Sequence, residues 1–253
     1  PTKIGMTYGD AELSAQIAEI NAAVEQQLSV AFAKTEVLLD GNKAPGVRTQ
    51  ETNLGDFCTD AMLWKANEAY SKPVVAAFNN GGSIRASIQI GDVTMKDMKT
   101  VFPFGNTIQI MTVKGSELLE LLEASSFCSP EPVGGFLQVA GIVYTIDTTV
   151  PYQNGEPYPD STYYAPANPG SRVTVQTVGG EPFDPMADYI IATNNFSAAG
   201  GDQSYVLKYA NQQTGYNTGI LLEDALIEYT SEVLGGVIGE QYALPQGRIT
   251  VKQ

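Results

Sequence analysis

Lys72-Pro73-Val74-Val75-Ala76-Ala77-Phe78-Asn79-Asn80-Gly81-Gly82-Ser83-Ile84-Arg85 joins an apolar, β-branched run to a glycine turn that ends on a fixed cation. The apolar part predicts a strand buried on both faces, and the Asn and Gly residues close it. Two adjacent glycines permit positive φ and let a ligand approach the backbone closely. Asn80 brings both donors and acceptors, and Arg85 a planar donor fork. Two readings stand at this point: the lip of a binding site, or an ordinary strand-to-loop turn with a solvated arginine.

Working outward, 253 residues with 43% apolar content suffice for a sizeable core and point to one large domain, or one domain with an appendage. Fourteen Lys and Arg against 28 Asp and Glu give a net charge of -14, which repels phosphate backbones and argues against nucleic-acid polymers or anionic membranes as partners. No window reaches the roughly 18 to 20 uninterrupted apolar residues of a membrane span, and no basic segment with an apolar h-region opens the chain. Starting at Pro1, it reads as an excised or processed piece. Cys58 and Cys128 lie far apart, which leaves buried free thiols and a disulfide both open. The absence of histidine argues against Ser-His-Asp triads and most transition-metal sites. No Asp-x-Asp-x-Asp-Gly loop supplies a carboxylate cation site.

Ala11 to Ala33 carries Leu13, Ile17, Ile20, Val24, Leu28 and Phe32 at spacings of three and four, which predicts a long amphipathic helix, either a cover for the domain or a stalk to something N-terminal. Thr35 to Leu39 reads as a short strand. Asn53 is the expected N-cap of a helix to about Tyr70, with Arg48 just before it. Thr94 caps a short helix through Lys99. Pro103-Phe104-Gly105 fixes a turn with Phe104 at its apex, as a core plug or a stacking platform. Strands are expected at Thr107 to Val113, Ile142 to Ile146, Arg172 to Val178, Tyr189 to Thr193 and Arg248 to Val251, and helices at Glu117 to Ser126 and Leu221 to Val233. Pro151 to Gly170 reads as a long exposed loop. Asn194-Asn195-Phe196-Ser197-Ala198-Ala199-Gly200-Gly201-Asp202 echoes the opening design: strand end, paired Asn, aromatic, paired Gly, charge.

Several of these stretches in order resemble one family. Arg48 to Glu51 with Asn53-Leu54-Gly55, Asn80-Gly81-Gly82-Ser83-Ile84-Arg85 with Pro103-Phe104-Gly105, and Asn195-Phe196 with Gly200-Gly201-Asp202 resemble the C-terminal, substrate-binding domain of the 5′-nucleotidase, UDP-sugar hydrolase and 2′,3′-cyclic phosphodiesterase family. Phe136-Leu137-Gln138-Val139 and Gly247-Arg248-Ile249 extend the likeness to the chain's end. The resemblance implies a single α+β domain with mixed β-sheets and flanking helices over 35–253, preceded by a linker helix region over 1–34. It also implies an N-terminal metallophosphoesterase domain outside this chain that holds two divalent metals, with no cofactor and no catalytic residue in this one.

By the same carry-over, the base of a nucleoside or nucleotide is clamped between Phe104 and Phe196. Asn80 hydrogen-bonds the base beside Gly82, Asp202 accepts from the ribose hydroxyls, and Arg48 and Arg85 reach ribose or phosphate oxygens. Two aromatic faces stack on any base with little discrimination. The implied setting is extracellular, cell-surface or periplasmic. Ser83 departs from the family's usual third glycine, and Gln203-Ser204-Tyr205 from its usual glycine and aromatic after Asp202. The alternative from another class is a surface interaction module that keeps the fold without using the pocket.

Overall fold

Successive side chains of one fully buried strand point to opposite faces of a sheet, and that places this chain's core on both sides of it. A computed structural model describes residues 11–253; the first ten residues of the expected linker region lie outside them. In chain order the elements begin with helix α1 (Ala11–Leu28) and strand β1 (Ala31–Thr35), then helix α2 (Asn53–Ala69) and strand β2 (Ala76–Asn80). Next come β3 (Gly91–Thr94), α3 (Met95–Val101), β4 (Thr107–Lys114), α4 (Gly115–Ser125), β5 (Leu137–Ala140) and β6 (Ile142–Asp147). The remainder comprises β7 (Asn154–Pro157), β8 (Tyr164–Pro166), β9 (Val173–Val178), β10 (Glu181–Pro182), β11 (Asp188–Asn194) and α5 (Asn195–Ala198). Last are α6 (Leu207–Thr214), β12 (Tyr216–Leu221), α7 (Leu222–Glu228), β13 (Val237–Ile238) and β14 (Ile249–Lys252). The whole is one domain of mixed α+β architecture, as expected.

The central sheet runs β12-β4-β11-β2-β5 and is covered on both faces. Ala77, Ile108, Ile110 and Ala192 face a core completed by Phe57, Ala61 and Met62 of α2, Met98 of α3 and Leu226 of α7. Ala76, Phe78, Met111 and Ile191 point the other way, against Leu118 and Leu122 of α4 and the second sheet, β10-β9-β6-β14. That period of two in β2 is why an apolar run without polar interruption is a strand here. The closing strand β14 pairs parallel with β6, and Arg248 anchors it: Nη2 lies 2.8 Å from Asp60, while Glu51 accepts from the Ile249 N–H at 2.8 Å.

Four expectations are corrected. The first helix stops at Leu28, because Ala31–Thr35 pairs parallel with β13 and antiparallel with β3, so Phe32 is strand although it keeps the helical spacing; the strand expected at Thr35 to Leu39 begins four residues earlier. Thr52, not Asn53, caps α2, its side chain accepting from Gly55 N. Asn53 is otherwise engaged, accepting from Asp40 N at 2.8 Å and donating to the carbonyls of Leu38 and Tyr242 at 2.7 and 2.8 Å. The stretch Pro151 to Gly170 contains the β7–β8 hairpin and buries Tyr158, which stacks on Tyr205 at 4.7 Å and donates to Glu120 at 2.7 Å. Cys58 is buried and Cys128 half-buried, and both are free thiols.

Candidate functional site

The sheet register explains how stretches far apart in sequence meet. β11 runs parallel beside β2, with Ile191 opposite Ala76 and Ala192 opposite Ala77, so both strands end side by side, one in Asn79-Asn80 and the other in Asn194-Asn195. β4 is antiparallel to β11 and pairs Ile108 with Asn194, so the Pro103-Phe104-Gly105 turn feeding β4 arrives at the same sheet edge. β5 is antiparallel to β2 with Leu137 opposite Asn80, which brings in Gly134-Gly135. Four loops thus converge at the carboxyl ends of two parallel strands, the place where open sheets commonly form ligand crevices.

A cavity of about 380 Å³ opens there, lined by Arg48, Asn80, Gly82, Ser83, Phe104, Asn106, Gly134, Phe196 and Asp202. Six of the seven residues expected from sequence are therefore together. Arg85 is the exception. Its guanidinium carbon stands 5.6 Å from the centroid of the Phe104 ring, Nη1 donates to the Gly82 carbonyl at 3.1 Å, and the side chain borders a separate groove of about 480 Å³ with Asp40, Gly41 and Ser87. Arg85 is placed to brace Phe104 from outside the cavity by a cation–π contact.

The two phenylalanines are exposed by 59% and 44%, so neither ring is a core plug. Each sits on a fixed mount. Gly105, at φ +64°, takes the left-handed conformation that the turn under Phe104 demands. Phe196 lies flat on Gly201, where an added Cβ would fall 2.5 Å from the ring. The glycine pair of the opening stretch serves a different end from the one expected: neither Gly81 nor Gly82 is among the positive-φ glycines. Gly81 is required because a Cβ there would stand 1.9 Å from the Val47 carbonyl, and the two N–H groups donate to the carbonyls of Phe136 and Gly134 at 2.7 Å each.

A buried amide network fixes the cavity floor. Asn194 Nδ2 donates to Asn79 Oδ1 at 2.6 Å and to Asn80 Oδ1 at 2.9 Å, while Asn194 Oδ1 accepts from Ser197 N and so caps α5, the turn that carries Phe196. Ser83, in the place of the family's third glycine, accepts from Asn79 Nδ2 at 2.6 Å and donates to the Asn80 carbonyl at 2.8 Å. Asn80 in turn donates to Asp202 Oδ2 at 3.2 Å. Asp202 adopts φ +51°, a left-handed conformation that Asp tolerates better than most residues. Burial pushes its carboxyl above the ordinary carboxylate range, with the Asn80 hydrogen bond and the Arg48 charge pulling it back. Arg48 Nε is buried with no hydrogen-bond partner among the described residues.

Sequence reasoning did not place Ser83, Asn106 and Gly134 on the cavity wall, nor Asn194 beneath it. The signal for Asn194 was its position at a strand end in the Asn-rich echo; Asn106 and Gly134 gave none beyond turn propensity.

The family profile described as "5′-nucleotidase, C-terminal domain" matches residues 29–209. The chain belongs to that family. It is 38% identical over 189 residues, 72% of this chain and 12% of that protein, to the trifunctional nucleotide phosphoesterase protein YfkN of Bacillus subtilis (strain 168). It is 30% identical over 226 residues, 89% of this chain and 35% of that protein, to Protein UshA of Yersinia enterocolitica serotype O:8 / biotype 1B. Among solved structures, the 5′-nucleotidase precursor from Thermus thermophilus superposes with a TM-score of 0.76 at 34% identity, over 96% of this chain and 44% of that one. This 5′-nucleotidase C-terminal domain thus spans less than half the length of these relatives. Among its described residues no three His, Cys, Asp or Glu side chains are grouped to hold a metal ion, and no helix is long and apolar enough to cross a membrane.

Proposed function

We propose that this domain grips the nucleoside part of a nucleotide phosphoester, with the base between Phe104 and Phe196, and presents the ester to a two-metal phosphoesterase domain outside this chain. The observation that carries this is the pair of solvent-exposed phenyl rings on rigid mounts opening onto one cavity, with a carboxylate and an arginine on its walls. A base sandwiched between them needs a gap of roughly 7 Å, twice a carbon–carbon contact of about 3.5 Å. The Asp202 carboxylate suits a ribose diol and repels phosphate, while the guanidinium of Arg48 on the cavity wall suits a ribose or phosphate oxygen. Asn80 has one N–H and one lone pair left for the base after its contacts with Asp202 and Asn194. Arg85 acts on this reading by holding Phe104 in place.

The region 1–34 is the linker in this account and 35–253 the recognition domain. Ile17, Ile20 and Val24 of α1 are 49%, 62% and 46% exposed, a row of apolar side chains that suits a helix lying against a second body. An extracellular, cell-surface or periplasmic setting goes with the same reading. Calorimetric titration of adenosine and AMP into the chain, followed by a phosphate-release assay with Mg²⁺ or Mn²⁺, tests it: weak binding without phosphate release is expected. Phosphate release by this chain would contradict the division of labour, and no binding would contradict the recognition role.

A further inference from the structure

Gln138 stands in the otherwise apolar, fully buried strand β5, and its amide is spent on one loop. Nε2 donates to the Val47 carbonyl at 3.1 Å and to the Gln50 carbonyl at 2.7 Å, while Oε1 accepts from the Thr52 N–H at 3.1 Å. Such a side chain survives inside a sheet only where hydrogen bonds offset its desolvation. Its slot exists because residue 55 is glycine: a Cβ there would fall 2.0 Å from Oε1 and 2.5 Å from Cδ. Loop 47–52 carries Arg48 onto the wall of the nucleoside crevice, and the Val47 carbonyl that Gln138 holds also sits over Gly81, where a Cβ would stand 1.9 Å away. Gln138 lies opposite Asn79 in the β2–β5 ladder, so the two side chains share a face of the sheet. Asn79 is tied toward β11, accepting from Asn194 Nδ2 at 2.6 Å, and Gln138 is tied toward loop 47–52.

We propose that Gln138 is a positioning residue of the nucleoside crevice: its amide sets how far loop 47–52 stands from the end of β2, and thereby where the Arg48 guanidinium reaches. Gln138 itself touches no ligand, because it is wholly buried and does not line the cavity. The bonds of Arg48's own backbone run to neighbouring loops, its N–H to the Lys43 carbonyl and its carbonyl to the Val133 N–H, each at 3.2 Å. Gln138 ties the same loop to the central sheet. A displacement of about 1 Å is enough to spoil a directional contact, so a loop freed from the sheet loses aim before it loses its fold. This role rests on the nucleoside reading above and divides its labour: Phe104 and Phe196 hold the base, while Gln138 acts through Arg48 on the ribose or phosphate oxygens.

Two variants test it. Gln138→Met keeps the length and bulk of the side chain without its hydrogen bonds; Gly55→Ala keeps Gln138 but pushes its amide from the slot, and serves if Gln138→Met does not fold. AMP binding is measured by calorimetry for each variant, alone and combined with Arg48→Ala, and exchange of the buried Arg48 Nε–H is followed by NMR without ligand. Each variant alone weakens AMP binding about tenfold, but less than about twofold in the Arg48→Ala background, and each speeds Nε–H exchange. A Gln138 that only supports the fold would weaken AMP equally with and without Arg48. That result, or an unchanged Nε–H exchange, overturns the proposal and leaves the nucleoside reading standing, whereas a wild type that binds no AMP overturns both.

Discussion

At the scale of single residues, the site depends on a few side chains whose surroundings leave chemistry unspent. Asp202 is the clearest. Because burial raises its pKa, it protonates at a pH where an ordinary aspartate is still ionised, and a protonated carboxyl no longer offers its full acceptor capacity to a diol. On the proposed reading, nucleoside affinity should fall as pH falls through this raised value. Asp202→Asn should bind more weakly at pH 7 and lose the pH dependence; calorimetry from pH 4 to 8 checks both. Gly201 is a second case. A methyl at that position meets the half-exposed Phe196 ring and displaces it toward solvent, so Gly201→Ala should cost about 1 to 3 kcal/mol in nucleoside binding while the melting temperature stays within a few degrees. A large loss of stability instead would mean that Phe196 is held by packing rather than offered to a ligand. Arg48, Asn80, Gly82, Phe104, Phe196 and Asp202 could be grouped from the sequence because their residue types and neighbours matched a pattern, and they meet at one cavity. Arg85 was legible as a cation but not as a brace, since sequence does not say which side of an aromatic ring a neighbouring chain passes.

At the scale of elements, the decisive device is the shared end of β2 and β11, joined by Asn194. Its amide satisfies two buried asparagine oxygens and caps α5, so one side chain links the wall that carries Asn80 to the platform that carries Phe196. Asn194→Ala leaves those oxygens unpaired and uncaps the turn, which should destabilise the fold by about 2 to 4 kcal/mol in urea unfolding. A loss below about 0.5 kcal/mol would show that the network is not holding the loops together. Long elements with a clean period, such as β4, α2 and α4, could be read directly, whereas the strand expected over Lys72 to Phe78 forms at Ala76–Asn80 and takes in the two asparagines expected to close it. α6 and β12 could not, because Leu207–Thr214 is mostly polar with only Leu207 and Ala210 buried, and Tyr216–Leu221 is an exposed edge strand containing Asn-Thr-Gly. The end of α1 was misread for the opposite reason: Phe32 satisfies the helical spacing, and only pairing with β3 and β13 makes it strand.

At the scale of the whole molecule, two features set its behaviour: a closed core around the central sheet, and a crevice at one edge of that sheet. The core contains a buried acid pair. Asp56 lies beside Glu51 and Arg248, and burial together with the Glu51 charge raises its pKa from 3.8 to about 8. The folded protein thus holds a proton that the unfolded chain releases near pH 4, so stability is greatest below that pH as far as this group is concerned and declines as pH rises toward 8. Urea midpoints should fall across pH 5 to 8 in the wild type and flatten in Asp56→Asn; an unchanged slope would rule out this group as the cause. The fold class was legible because several long apolar runs and several family stretches pointed the same way, whereas the meeting of those stretches depends on strand order, which no local pattern encodes. The most direct measurement of the central claim follows the H2 and H8 protons of adenosine on titration with the chain. A base held between two phenyl rings moves both signals upfield, and Phe104→Ala and Phe196→Ala each reduce the shift and cost about 1 to 3 kcal/mol of affinity. Shifts unchanged in both variants would contradict the clamp and leave a fold that carries the crevice without using it.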